Sequence, residues 1–274
     1  MTLLKVDRSR CTGDGLCVQE CPIGIIRLEG KKKYPFVDLA DTPLCINCGH
    51  CVAVCPQEAL DHTKMPLQDC TPIVKEHSID HLKALQFLRS RRSIRAYKDD
   101  PVDKEEIQQL LEVARYAPTT TNSQLVEYVV ISDKRKIREL ARRTIDWISD
   151  ALRNDVQNRL PGYMSRFVSA WEKGEDPVLR NAPVVLLAMA PQEAAHGMID
   201  IAMALSYIEL IAPALGLGTC LAGLLQRGLL KIPSLKEAIG LPKGYPHHFP
   251  LMMGYPKFKY QRLPERKMPK ITWR

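Results

Sequence analysis

Several protein classes are excluded by what this sequence does not contain. Its first eleven residues carry Lys5, Asp7, Arg8 and Arg10 and no apolar stretch, so no export signal is expected. The longest uncharged apolar run, 210–225, is short for a membrane span and is interrupted by Pro213, Gly216, Gly218 and Gly223. A cytoplasmic protein with no membrane partner is therefore expected. No G-x-G-x-x-G follows a strand pattern, which argues against a Rossmann domain. No nucleic-acid motif accompanies the net charge of +8, so that charge suits phosphate groups or an acidic partner better than nucleic acid. No nucleophile–base triad is visible either. His77, His81, His196, His247 and His248 are expected to be surface or packing residues.

Cysteine is plentiful. The chain has nine in 274 residues, seven of them between positions 11 and 55. In a reducing compartment such a cluster points to metal ligation before disulfides. One run reads Cys45-x2-Cys48-x2-Cys51-x3-Cys55-Pro56, and Cys17-x3-Cys21-Pro22 echoes its second half. These spacings resemble the bacterial-type two-cluster (4Fe-4S) ferredoxin, in which the fourth cysteine of each run serves the other cluster. The resemblance implies one [4Fe–4S] cluster on Cys21, Cys45, Cys48 and Cys51, and a second on Cys11, Cys17 and Cys55. Asp14 stands where the second cysteine of the first run belongs. Three roles are open to it: ligand of a [4Fe–4S] cluster, neighbour of a [3Fe–4S] cluster that has lost its corner iron, or cap of the turn 12–15 beside an open iron. His50 and His62 fall in this part and would tune cluster solvation. Cys70 and Cys220 lie outside it.

Composition divides the chain into residues 1–63, a linker at 64–78 with Pro66 and Pro72, and residues 79–274. Leu82, Leu85 and Leu88 predict an amphipathic helix over 81–90. Asp103 and Glu106 form a capping-box pattern ahead of a helix with Ile107, Leu110, Leu111 and Ala114 on one face. Strands are predicted at 126–132, 183–190 and 251–254, and a buried apolar helix at 200–215. A short helix at 234–239 has Ser234 and Glu237 as a second capping pattern and Gly240 at its end. An α+β protein with helices on a central sheet follows.

Four separated motifs resemble the FMN-dependent nitroreductase family. They are Arg91-Arg92-Ser93-Ile94-Arg95, the loop from Ala117-Pro118-Thr119 to Asn122-Ser123-Gln124, the glycine-rich stretch 215–223, and Gly254-Tyr255-Pro256 with Lys259 and Arg262 behind it. The family resemblance implies an α/β/α sandwich around a mainly antiparallel sheet, with FMN at the interface of a homodimer. Arg91, Arg92, Ser93, Arg95, Lys259 and Arg262 would contact phosphate, ribityl chain and ring edge, because guanidinium forks suit phosphate. Pro118, Thr119 and Asn122 would form the loop drawn from the second subunit. Leu221, Ala222 and Gly223 would offer backbone amides to the flavin. Cys220 reads as a small buried hydrophobe. Trp147, Tyr163, Phe167 and Trp171, in the variable stretch 144–180, would either cover the substrate side or serve ordinary helix packing.

Together the two resemblances imply an iron–sulfur flavoprotein oxidoreductase. Electrons would pass from a ferredoxin or NAD(P)H through the clusters to FMN, and on to a nitro compound, quinone or activated alkene. The alternatives are a flavin dehydrogenase feeding the clusters, or a non-enzymatic electron-transfer or redox-sensing subunit. No side-chain catalyst is expected, since flavin carries the chemistry.

Overall fold

The computed structural model describes residues 2–154 and 161–274. The chain folds as two units: Met1–Ser78 with Thr121–Ser123, and Ile79–Thr120 with Gln124–Arg274.

The N-terminal unit is built from two small antiparallel pairs. β1 (Leu4–Val6) has residues α1 (Leu16–Gln19), β2 (Ile26–Glu29), β3 (Tyr34–Val37) and α2 (His50–Ala53) between it and its partner β4 (Leu60–His62), while β2 pairs with β3. Each helix is one turn long and enters from a left-handed glycine, Gly15 at φ 78° and Gly49 at φ 74°. Only glycine takes that conformation without steric cost. The two-fold echo in the sequence is thus a repeated glycine–helix–Cys-Pro corner. Cys17 and Cys51, inside the helices, are buried with Leu3, Leu4, Ile25, Ile26, Val52 and Leu60. They behave as small hydrophobes in this core.

This mixed α/β unit corrects the expectation of a domain organised around two iron–sulfur clusters. Among the described residues, no group of three or more His, Cys, Asp or Glu side chains is gathered to hold a metal ion. The thiols are all free, and apolar packing shapes the core they share.

The C-terminal unit begins with α3 (His81–Ser90) and α4 (Lys104–Ala114). It continues through β5 (Glu127–Ile131), α5 (Lys134–Arg153), α6 (Met164–Glu172), β6 (Val184–Ala190), α7 (Gly197–Ile211), β7 (Gly218–Leu221), α8 (Gly223–Leu229), α9 (Pro233–Ile239) and β8 (His247–Gly254). The sheet has the order β5-β6-β8-β7, antiparallel throughout. β6 is buried along its whole length, as its uniformly apolar sequence predicts. Alternation along the strands feeds two cores. Val185, Leu187 and Met252 pack with Ile137, Leu140, Ile148 and Leu225. Val184, Leu186, Leu251 and Met253 pack with Leu110, Ile201, Leu205 and Ile208. Helices therefore cover both faces of the sheet.

The capping box at Asp103 and Glu106 forms as predicted, and Asp103 precedes the helix with an extended ψ of 146°. The second capping pattern does not. α9 starts at Pro233, whose fixed φ suits a first helical position, so Ser234 already lies inside the helix. The strand predicted at 251–254 starts at His247. α5 is a long helix begun by Asp133, whose carboxylate accepts the Arg135 and Lys136 amides. It is not among the predicted elements, because dense charge masks the apolar face of Ile137, Leu140, Ile145 and Ile148.

The segment Gly197–Leu215 is long and apolar enough, by length and composition, to cross a membrane. It is the helix read from sequence as buried, and this is only half right. One face of α7 lies in the core through Ile201, Leu205 and Ile208, while Met198, Ile199, Met203 and Tyr207 on the other are exposed. Pro213 ends the α-helix, and residues Ala212–Leu215 close it as a 3₁₀ turn.

Candidate functional site

The sheet of the C-terminal unit joins three of the four separated motifs. Ser93 forms a parallel bridge with Thr219, and the Ile94 amide donates to the Thr219 carbonyl at 2.8 Å. Tyr97 bridges to Pro256, with the Lys98 amide on the Tyr255 carbonyl at 2.9 Å and the Lys257 amide on the Ala96 carbonyl at 3.0 Å. Gly218 explains why the stretch must be small there: a Cβ would stand 2.4 Å from Ile94 Cγ1 and 2.8 Å from Pro256 Cγ. The arginine segment, the glycine-rich strand and the element after β8 are thus locked edge to edge.

This packing sets the cations. Arg91 donates to Glu209 Oε1 at 3.3 Å and to Ser93 Oγ at 3.5 Å. Burial pushes the Glu209 carboxyl above the usual carboxylate range, and the Arg91 charge pulls it back. Arg92 lies over the Tyr260 ring at 5.6 Å, a cation–π contact that brings it to the segment carrying Lys259 and Arg262. Both of those residues are exposed. Arg95 donates to its own loop, to the Ser93 carbonyl at 3.4 Å.

Arg95 also lines a cavity of about 340 Å³ with Cys220, Leu221 and Gly223. Leu221 ends β7 and is half exposed. The Ala222 amide donates to the Pro250 carbonyl at 2.9 Å, so it is spent inside the fold and corrects the expectation of a free amide there. Cys220 is buried, as expected, and burial raises its thiol pKa. Phe167 and Tyr163 line the same cavity and meet edge to face at 5.7 Å. Trp147 and Trp171 instead pack on the core, and Arg138 covers Trp171 at 3.8 Å. Residues 155–160 of that variable stretch lie outside the described residues.

The loop after Pro118 is held differently. The Thr120 amide and hydroxyl donate to Asp200 Oδ1 at 2.9 and 3.1 Å, and Thr119 Oγ1 accepts the Gln124 amide at 3.0 Å. Thr121, Asn122 and Gln124 all have left-handed φ near 50°. Residues 121–123 belong with the N-terminal unit, where Asn122 Nδ2 donates to the Ile46 and Asn47 carbonyls at 3.0 Å each.

Glu209, Asp200, Arg180 and Arg227 were not singled out from sequence. Glu209 and Asp200 had a signal: they are the acidic residues of a helix that is otherwise almost wholly apolar.

In the N-terminal unit the cysteines fall into the two groups that the ferredoxin resemblance implies. Cys11, Asp14, Cys17 and Cys55 line one cavity, and Cys21, Cys45, Cys48 and Cys51 line another, each of about 20 Å³. That is room for about one water. Some of the polar groups on these walls are committed locally. Asp14 accepts from the Leu16 amide at 3.1 Å and the Thr12 hydroxyl at 3.0 Å, capping the turn. The Ala59 amide donates to Cys55 Sγ at 3.3 Å. His62 Nδ1 accepts the Lys64 and Met65 amides at 3.0 and 3.1 Å, so Nε2 carries the proton toward Cys45 Sγ at 3.5 Å. The expected iron–sulfur ligand sets, and the electron relay through them to FMN, are corrected accordingly: these side chains line walls and do not converge as a metal site.

Comparison with known proteins agrees with the geometry of the larger unit. The profile described as the nitroreductase family matches residues 88–255. An FMN reductase [NAD(P)H] from Bacillus subtilis is 30% identical over 195 residues, covering 67% of this chain and 71% of that one. An iodotyrosine deiodinase from Thermotoga neapolitana is 26% identical over 179 residues, 64% of this chain and 90% of that one. A solved nitroreductase with bound FMN from Bacteroides fragilis has the same fold, with a TM-score of 0.56, 18% identity, and coverage of 71% of this chain and 98% of that one. The chain belongs to the nitroreductase family, and it is an FMN-dependent oxidoreductase enzyme. A second profile, described as a 4Fe-4S dicluster domain, matches residues 10–60. Among the described residues, that stretch gathers no metal-ion site.

Proposed function

We propose that the enzyme takes two electrons from a reduced nicotinamide and delivers them to a small organic acceptor at the cavity beside Leu221 and Gly223. The observation that carries this is the locking of three motifs by the Ser93–Thr219 and Tyr97–Pro256 bridges, which puts Arg95 and the β7–α8 corner on one cavity. The relative named FMN reductase [NAD(P)H] supports the donor.

The residues fit the cofactor. Leu221, Leu224 and Met252 line the cavity with Arg95, and Arg91, Arg92, Lys259 and Arg262 supply charge for a phosphate. Ser93 adds a hydroxyl beside Arg91. FMN, when bound, supplies a store for the electron pair. The chain's own work is to hold, orient and desolvate. Glu209 fixes Arg91. The close contact at Gly218 fixes Arg95 relative to β7. Phe167 and Tyr163 narrow access of water. For a nitro acceptor the net reaction balances as R–NO₂ + NAD(P)H + H⁺ giving R–NO + NAD(P)⁺ + H₂O. A cavity of about 340 Å³ is of small-molecule size, which favours an enzyme over a pure electron carrier.

The exposed apolar face of α7, with Met198, Ile199, Met203 and Tyr207, supports a homodimer in which a second copy covers it. Purification with FMN should give a yellow protein that oxidises NAD(P)H when a nitroaromatic or quinone is supplied, and that sediments as a dimer. Absence of flavin binding would sink the cofactor assignment, and a flavin-loaded monomer would sink the dimer.

A further inference from the structure

The cavity beside β7 holds more positive charge than the cofactor motifs account for. Arg95 belongs to such a motif, but Arg180 and Arg227, which line the same cavity, lie outside all of them. No acidic side chain lines it, and among the described residues none of the three arginines forms an ion pair. All three guanidinium groups are exposed and hydrated, and an anion entering the cavity would meet their forked donors together.

Arg180 is held there by a built loop. Asp176, 5% exposed, accepts the amides of Val178 at 3.0 Å, Leu179 at 2.9 Å and Asn181 at 3.1 Å. Arg180 and Asn181 both sit in the left-handed region, at φ 58° and 52°. Asparagine visits that region readily, whereas arginine rarely does, so the strain falls on Arg180. The Asp176 carboxylate holds that conformation in place, and strain of this kind clusters at ligand sites. Arg227 comes from the last turn of α8, where a cation also suits the helix dipole. That second use does not explain Arg180. Tyr163 and Phe167 add aromatic surface to the same cavity.

We propose that this cavity binds an anionic planar acceptor, an aromatic carboxylate, with Arg180 and Arg227 on the carboxylate and Tyr163 and Phe167 against the ring. This rests on the acceptor site proposed above and names its substrate class. Reduction of an aromatic nitro acid follows the balance already given, with the carboxylate unchanged.

The test uses the FMN-loaded enzyme and the variants Arg180→Gln and Arg227→Gln. The wild type should prefer 4-nitrobenzoate over neutral 4-nitrotoluene in kcat/KM, and each variant should lower that ratio at least tenfold. Calorimetric titration with benzoate, which needs no turnover, should show the same tenfold loss. Arg180→Lys and Arg227→Lys keep the charge and should recover part of it. FMN affinity should stay within twofold. Three results would overturn the proposal. The ratio and the benzoate affinity could be unmoved by either variant. FMN affinity could fall instead, which would assign the arginines to the cofactor phosphate. Or the KM for NADPH could rise with benzoate binding intact, which would assign them to the donor. Benzoate titration of flavin-free protein still reads the two arginines, so a chain that binds no FMN would defeat the proposed function without deciding this one.

Discussion

The two units treat their reactive side chains in opposite ways. In the N-terminal unit several such groups are answered by their own neighbourhood: Asp14 by its turn, His62 by two amides and a thiol, Cys55 by the Ala59 amide. In the C-terminal unit Arg95, Arg180 and Arg227 stand around a cavity with no carboxylate to answer them. A satisfied polar group explains itself as structure. A set of exposed guanidinium groups converging on one cavity offers forked donors to an anionic ligand. The contrast can be tested from both sides.

The largest effect should come from the sheet that carries the second unit's cavity. Leu186, in the middle of β6, is fully buried in the core with Leu205 and Ile208. Leu186→Ala should cost about 2–5 kcal/mol in denaturant unfolding. A loss below about 1 kcal/mol would mean that the sheet is not what holds the three motifs in register. Next comes the Arg91–Glu209 pair. The Glu209 side chain is 12% exposed and the Arg91 side chain 30%. Arg91→Ala strands a buried carboxylate and should cost up to about 3 kcal/mol. Adding Glu209→Gln should return part of that loss. If the double variant is no better than the single one, the pair is not coupled and Glu209 does not position Arg91.

Reading these features from sequence succeeded where local chemistry decides and failed where convergence decides. The capping box at Asp103, the buried strand β6 and the order of the flavin motifs are written in nearest neighbours and periodicity. The two cysteine groups were legible too, through the ferredoxin resemblance, in which the fourth cysteine of each run crosses to the other group. Whether donors meet at one point is a matter of ångströms that spacing does not encode, and there the expectation failed. Arg180 was illegible for a different reason: its placement depends on Asp176 capturing three amides in a loop with no sequence periodicity. Half of α7 was misread because an apolar helix gives no sign, in one chain, of which apolar face stays uncovered.

The thiols sharpen the contrast from the N-terminal side. Burial pushes the Cys51 thiol up to about 11, and neighbouring Cys48 adds to the shift. At pH 8 its thiolate should be roughly a hundredfold scarcer than that of an ordinary thiol of pKa near 9, and its alkylation correspondingly slow. Cys17 and Cys220, also raised by burial, should lag as well. Mass spectrometry of peptides after timed alkylation reads this order. Iron and acid-labile sulfide copurifying with the protein from anaerobic cells, with the cysteines protected as a set, would break the picture of self-satisfied thiols.

The smallest expected effect belongs to a polar pair inside the second unit that resembles the N-terminal pattern. His248 on β8 is 1% exposed, and its Nδ1 lies 3.2 Å from Gln226 Oε1 on α8. Burial holds its pKa below the ordinary value of 6.5, and the charges of Lys236 and His247 push it the same way. Above pH 6.5 the ring is neutral in both folded and unfolded chains, and its contribution to stability is fully present. As the pH falls below 6.5 the unfolded chain takes up the proton first, so stability declines until the pH reaches the lowered folded value. The difference in denaturant midpoint between wild type and His248→Gln should therefore change between pH 7 and pH 5, with the wild type losing ground on the acid side. Parallel curves would show that His248 is not the group that senses acid. They would also show that a buried histidine in this unit can be charged at little cost, which would weaken the distinction between answered and unanswered groups drawn from the arginines.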